Sequence, residues 1–368
     1  MLSDVLKPIA TRRRPSQRRH VLSQGIKQSL TALIAFVVAA GLLNQIIPSP
    51  MIPANVVFVS PKYAYYQAQK DKYNTLFFGS SRVYNQISPE AFDASAGAAG
   101  LAVKSYNFGV PAMRALDSTV LLEAVLRDPP ENLKWVFFET ILDKGYEPIP
   151  NARTQRAMYW HTWENTQLAA RYIATSEVSA ANKAVLMTSH FLPALYHQLN
   201  VGRLFNQVLP SEFSAEEQAT AERFTAAQGF APLIDESSPK RQAFLNDQAG
   251  YASGVDRLVQ TVADGLAPEA TLAANKTMLL ARITAAIQAA GAEPIFIEPP
   301  SLDLDRDFRV AQQQGEIETL LAYKDPQKFP QLYGPEHRFD ADHLNEAASI
   351  EFSKLMAQDF AQAVQSNP

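Results

Sequence analysis

The chain of 368 residues contains no cysteine. That absence removes disulfide bonds, thiolate-ligated metals and a thiol nucleophile from consideration. Charged residues are sparse, at 19%, against 47% hydrophobic residues. This balance supplies a packed core and excludes wholesale disorder. The length suits one large domain or two ordinary ones. No P-loop is present, and no G-x-G-x-x-G follows a predicted strand, so nothing argues for a nucleotide site. His161, His190 and His197 lack the spacing of metal ligands and read as surface or packing residues. Neither a metal nor a cofactor is implied, and no internal repeat is visible.

What is present begins with an uneven distribution of charge. Residues 1–29 hold seven basic side chains against Asp4 alone, an excess of +6, so the remainder carries −10 of the total of −4. A basic tail on an acidic body does not describe a nucleic-acid-binding domain; it describes the cytoplasmic flank of a membrane segment. Residues 30–47 follow without a charge. About 18–20 apolar residues cross the hydrocarbon layer as a helix, so a single span over 29–48 is expected, with residues 1–28 as a cytoplasmic tail. The positive-inside rule then puts the body outside the cytoplasmic membrane. A cleaved signal peptide is the rival reading; the long basic lead and the lack of an A-x-A site after the apolar run favour an anchor. A proline-rich linker over 49–73 leads into the body, with a short helix or arm in its Y-A-Y-Y-Q-A-Q-K segment.

The body, residues 74–365, alternates. Short apolar runs at 74–79, 104–109, 134–140 and 292–300 read as buried strands. Between them lie a helix start at S-P-E-A-F-D, an amphipathic helix over 111–127 with proline at its start, and a helix over 275–291 closed by glycine. Strands alternating with helices predict an open parallel α/β sheet covered by helices on both faces. Residues 145–270 break this rhythm and read as a helical insertion or lid. Tyr159, Trp160, His161 and Trp163 within it either line a ligand groove or pack helices together, the second being the plainer reading.

Sites in such sheets lie past the carboxyl ends of the strands, where Ser81, Gly109, Glu139 and Thr140 fall. Near the other end, F-D-A-D-H-L-N-E places Asp340 three residues before His343, just ahead of a helical run. An aspartate so placed fixes the imidazole tautomer and leaves the other nitrogen as a base. A serine needs such a base before it attacks, and donors for the oxyanion that forms. G-S-S-R offers Ser81, and Gly79 permits a tight turn after the strand. Arg82 either holds an anionic substrate group or pairs with Glu139. Asp342 reads as a surface carboxylate, and Asn345 as support for the last helix.

Serine after the first strand, glycine after the second and D-x-x-H opening the last helix together resemble the SGNH (GDSL-type) hydrolase superfamily. The resemblance covers residues 75–140 and 275–363. It implies a flavodoxin-like sheet, a Ser81–His343–Asp340 triad, and an oxyanion hole from the N–H groups of Ser81 and Gly109. The chain departs from the pattern at the third block, where F-F-E-T-I-L-D has no asparagine; Thr140 or further backbone N–H groups would take that place. G-S-S with one N-terminal membrane helix looks like the branch that serves cell-envelope polymers beside membrane-bound O-acyltransferases. That likeness implies ester hydrolysis or acyl transfer on an envelope polysaccharide. The alternative is an inactive fold of this type serving as a scaffold subunit.

Overall fold

The structure, a computed structural model, describes residues 15–46, 52, 56, 58–139, 155–199, 219, 223, 227–303 and 305–366. Its centre is a parallel sheet of five strands: β1 (Thr75–Phe78), β2 (Ser105–Asn107), β3 (Trp135–Glu139), β4 (Glu293–Glu298) and β5 (Thr319–Ala322), in the order β2-β1-β3-β4-β5. Every residue of β1, β2 and β3 is buried, as expected where helices cover both faces of a parallel sheet.

Alternation along the strands divides the core in two. Leu76, Phe78, Val136, Phe138 and Phe296 face one layer, built on α2 (Ser60–Gln67), α5 (Ala115–Leu126) and α11 (Ala274–Ala289). Phe77, Phe137, Ile295 and Ile297 face the other, built on α3 (Ser81–Gln86), α4 (Pro89–Ala98) and α13 (Glu346–Ser366). In that second layer Phe92 stands edge-on to Phe77 at 5.0 Å, and Phe360 to Phe137 at 4.9 Å. Such aromatic pairs add about 0.5–1.5 kcal/mol beyond the area they bury.

Four predicted strands correspond to β1–β4, and the helices expected over 111–127 and 275–291 correspond to α5 and α11. Helix α5 starts at Ala115 because the preceding turn puts Ala112 at φ 58°, outside helical space. Strand β5 is an addition to the reading of the sequence. It is a short edge strand with Leu321 as its one buried residue, and its apolar run L-L-A-Y was not read as a strand.

Within the expected insertion the described residues form α6 (Gln155–Trp160), α7 (Trp163–Thr175) and α8 (Ala180–Leu199), then α9 (Pro239–Asn246) and α10 (Gln248–Ala263). Tyr159 and Trp160 are buried in the α5–α11 layer, whereas Trp163 is exposed. One apolar helix, α1 (Pro15–Ile46), precedes the body, and its residues 24–43 are long and apolar enough to cross a membrane. The remaining helix, α12 (Asp307–Gln313), lies between β4 and β5.

The topology fixes where a site can form. From β1 the chain moves outward to β2, then returns to place β3 on the other side of β1. The crevice beyond the carboxyl ends of β1 and β3 is the switch point of the sheet. Gly79 to Arg82 and Glu139 meet there.

Candidate active site

Strand β1 ends at Phe78, and Gly79 turns the chain into α3. The turn needs glycine, since a Cβ at position 79 would collide with Val83 and Glu139. Ser80 caps α3, its hydroxyl accepting the Arg82 N–H at 3.2 Å. Ser81 is therefore the first helical residue, half-buried at the rim. The first intrahelical bond runs from the Tyr84 N–H to the Ser80 carbonyl. The Ser81 N–H precedes it and belongs to the first-turn donors that a helix leaves to outside acceptors.

Glu139, buried at the end of β3, holds this turn. One carboxylate oxygen accepts the Ser80 N–H at 2.6 Å, and the other accepts the Ser80 hydroxyl at 3.2 Å and Arg82 Nε at 3.0 Å. The Arg82 guanidinium pairs with Glu139 at 2.9 Å and donates to Ser301 Oγ, also at 2.9 Å. Arg82 thus sits buried against Glu139, the second of its two expected placements. Lys324 and Glu298 continue the buried polar layer past β4 and β5. Burial, helped by the nearby Arg82 charge, lowers the pKa of the Lys324 ammonium. Burial raises that of Glu298 against the pull of Lys324 and Arg309.

The base arrives from the opposite end of the body. Asp340 Oδ1 accepts the N–H groups of Asp342 and His343, each at 2.8 Å, which closes the loop into a tight turn. His343 Nδ1–H points at the same carboxylate, 2.8 Å from Oδ1 and 3.0 Å from Oδ2. That fixes the tautomer and turns the Nε2 lone pair outward. Ser81 Oγ–H donates to it at 2.8 Å. Ser81, His343 and Asp340, separated by 262 residues at their widest bond, meet in one hydrogen-bonded line.

Two sets of contacts keep this line assembled. Helix α13 is fastened to α3 and to the turn after it: Ser349 Oγ donates to the Asn85 carbonyl at 3.2 Å, and Ser353 Oγ accepts the Ser88 N–H at 2.8 Å. The 338–344 loop is held from below by Arg338, which is fully buried. Arg338 donates to the carbonyls of Ala341 at 2.9 Å, Leu332 at 3.3 Å and Pro300 at 3.4 Å. Burial lowers its pKa from the usual guanidinium value. Asn345 caps α13, accepting the Ala348 N–H at 3.0 Å.

Gly109 lies against the backbone of Val83 and Tyr84, where a Cβ has no room. Its N–H donates to Asn107 Oδ1 at 2.7 Å, and its carbonyl accepts the buried Lys62 ammonium. Asn107 in turn donates to the carbonyls of Val83 at 2.7 Å and Ile87 at 2.8 Å, tying β2 to α3. Thr140 lies outside the described residues. Reading the sequence passed over Asn107 and Arg338; Asn107 is a polar side chain between Tyr106 and Phe108, whereas Arg338, within the polar stretch E-H-R-F-D, gave no signal. Among the described residues no cluster has the makings of a metal site.

Beside the imidazole opens a groove of about 660 Å³, walled by Phe244, Tyr251, Arg257, Leu302, Asp342 and His343. Its charges are mixed, with Lys240 and Arg257 against Asp247 and Asp342. The arrangement can activate a hydroxyl at Ser81; the groove reaches His343 and Asp340, and Ser81 is not among the residues that wall it. Neither a family model nor a curated protein matches the chain.

Two outcomes follow. Glu139→Ala strands the buried Arg82 charge and frees the Ser80 N–H, so unfolding free energy should fall by about 3–5 kcal/mol; a denaturant titration showing no change would refute the role given to this carboxylate. For Asp340, burial pushes the pKa up, but the His343 ring and the two N–H groups outweigh it and hold the carboxyl below its usual range. A depressed folded pKa stabilises above the unfolded value of about 3.9 and is lost as pH falls through the lower folded value. The stability gap between the wild type and Asp340→Asn should therefore be full at neutral pH and shrink below about pH 4. A gap that widens on acidification would contradict this.

Proposed function

We propose that this protein is a serine-dependent O-acyl ester hydrolase or acyltransferase, held at a membrane by α1 and acting on a cell-envelope polysaccharide or a similar ester. One observation carries the reading: Ser81 Oγ lies 2.8 Å from His343 Nε2, while His343 Nδ1 lies 2.8 Å from Asp340. Nucleophile, base and orienting carboxylate are at bonding distance in the order that acyl transfer needs.

In this reaction Ser81 Oγ attacks the acyl carbonyl carbon as its proton passes to His343 Nε2. Asp340 stabilises the imidazolium. The tetrahedral intermediate collapses, the ester C–O bond breaks, and the proton returns to the leaving alkoxide. Water or a second hydroxyl then repeats the sequence on the acyl-serine and regenerates Ser81. The Ser81 N–H, ahead of the first intrahelical bond, is the oxyanion donor best placed for this role, and a well-aimed donor is worth about 10²–10³ in rate. Whether water or a sugar hydroxyl resolves the acyl-enzyme depends on how far the site excludes water.

The five-stranded order, with the serine after β1 and D-x-x-H ahead of α13, supports the SGNH-like reading of the fold. The charge asymmetry about α1 supports an extracytoplasmic body on a single-pass anchor in the cytoplasmic membrane. A membrane-bound O-acyltransferase is the fitting supplier of acyl groups. One observation favours a second reading, an inactive scaffold subunit of such an assembly: the Gly109 N–H, expected in the oxyanion hole, is bonded to Asn107.

A fluorophosphonate probe separates the two. The active reading expects labelling of the full chain that Ser81→Ala abolishes and that Asp340→Asn slows by about 10⁴. A folded wild type that stays unlabelled would overturn it in favour of the scaffold.

A further inference from the structure

Helix α8 presents apolar residues on both of its sides. Its inner side buries Leu186, His190, Pro193 and Ala194. Its outer side carries Val185, Phe191, Leu192, Leu195 and Tyr196, and Phe191 and Leu192 are 57% and 59% exposed. From Ala184 to Leu199 there is no Asp, Glu, Lys or Arg. A helix on the surface of a water-soluble body normally turns a charged face outward. Trp163, at the start of α7, is 62% exposed. Helices α7 and α8 pack together across a four-residue connection, so they run as a hairpin. The hairpin brings the Trp163 end of α7 toward the Tyr196 end of α8.

The neighbour of α8 indicates what covers this face. Helix α1 packs on α8, and among residues 24–43 only Ala40 is buried. Ala40 lies in the body-proximal half of the apolar stretch, whether that stretch is taken as 24–43 or as the expected 29–48. The contact therefore falls in the half of the span that faces the body. Phe36, Val38, Leu42 and Leu43 of α1 are exposed, as is the outer side of α8.

We propose that α8 is an interfacial helix: its outer side, with Trp163, lies in the headgroup–acyl boundary of the lipid bilayer beside the end of α1. A helix lying in the interface buries its apolar face about 5–10 Å into the headgroup–acyl boundary; here the body covers the inner side of α8 and lipid covers the outer. Phe191, Tyr196 and Trp163 supply the aromatic residues that favour the interface. The second contact fixes the orientation of the body on the membrane, which one span joined by a linker does not do. The inference rests on the reading of α1 as an anchor.

The absence of cysteine makes the test direct. The full chain carrying Leu192→Cys, Phe36→Cys or Glu351→Cys is spin-labelled and reconstituted alone in phosphatidylcholine–phosphatidylglycerol nanodiscs. Collision with oxygen, which concentrates in lipid, is compared with collision with a water-soluble nickel chelate. The ratio of oxygen to nickel accessibility should be several-fold larger at 192 than at 351, an exposed position on α13, and should approach that at 36. A lipid signal at 36 with an aqueous one at 192 overturns this inference and leaves the anchor standing. An aqueous signal at 36 overturns both. A label at 192 shielded from both reagents means that protein covers the face, and also overturns the inference.

Discussion

The Glu139 carboxylate sets the geometry on which the rest of this site depends. It stands at the end of β3, across the sheet's switch point from the end of β1, and takes hold of the chain at the first residue that has left the strand. The Ser80 N–H, the Ser80 hydroxyl and the Arg82 guanidinium all converge on it. A buried carboxylate is costly unless its acceptor positions are filled, and here both oxygens are engaged. The result is a turn in which α3 begins at Ser81, half-buried at the rim. A hydrogen bond between two side chains 262 positions apart needs that turn held in place, because an error of an ångström at either end would break it.

The other end of the bond is built by different means. Asp340 folds its own loop by accepting two N–H groups and then orients the imidazole with the same carboxylate. Arg338 ties that loop to Pro300 and Leu332 by hydrogen bonds to carbonyl oxygens. Serines on the inner side of α13 bond to the backbone of α3 and of the turn after it. The two halves of the site are thus joined through helix contacts as well as through the Ser81–His343 hydrogen bond. Phe360 against Phe137, and Phe92 against Phe77, press α13 and α4 onto the same face of the sheet that α3 occupies.

Much of this was legible in the sequence, for physical reasons. Buried parallel strands are apolar along their whole length, so T-L-F-F and W-V-F-F-E stand out, and the residues that follow them mark the functional edge. Asp340 and His343 are three apart, and a short-range pair can be read without a fold. Strand β5 was passed over because its run L-L-A-Y is short, and periodicity alone does not tell so short an apolar run from a helix segment. Arg338 and Asn107 were not legible either. Their roles come from the carbonyl groups around them, and backbone acceptors leave no trace in the identity of their own residues. The engagement of the Gly109 N–H by Asn107 belongs to the same class: the spacing N-F-G is visible, while the bond depends on how β2 meets α3.

The central claim is that Ser81 is the atom that takes the acyl group. The most direct measurement mixes the full chain with p-nitrophenyl acetate, quenches with acid, and maps the acetyl group by peptide mass spectrometry. The account predicts an acetyl ester on Ser81 in the wild type, with no acetylated serine in Ser81→Ala. An acetyl group confined to another side chain, or none on a correctly folded chain, would contradict it.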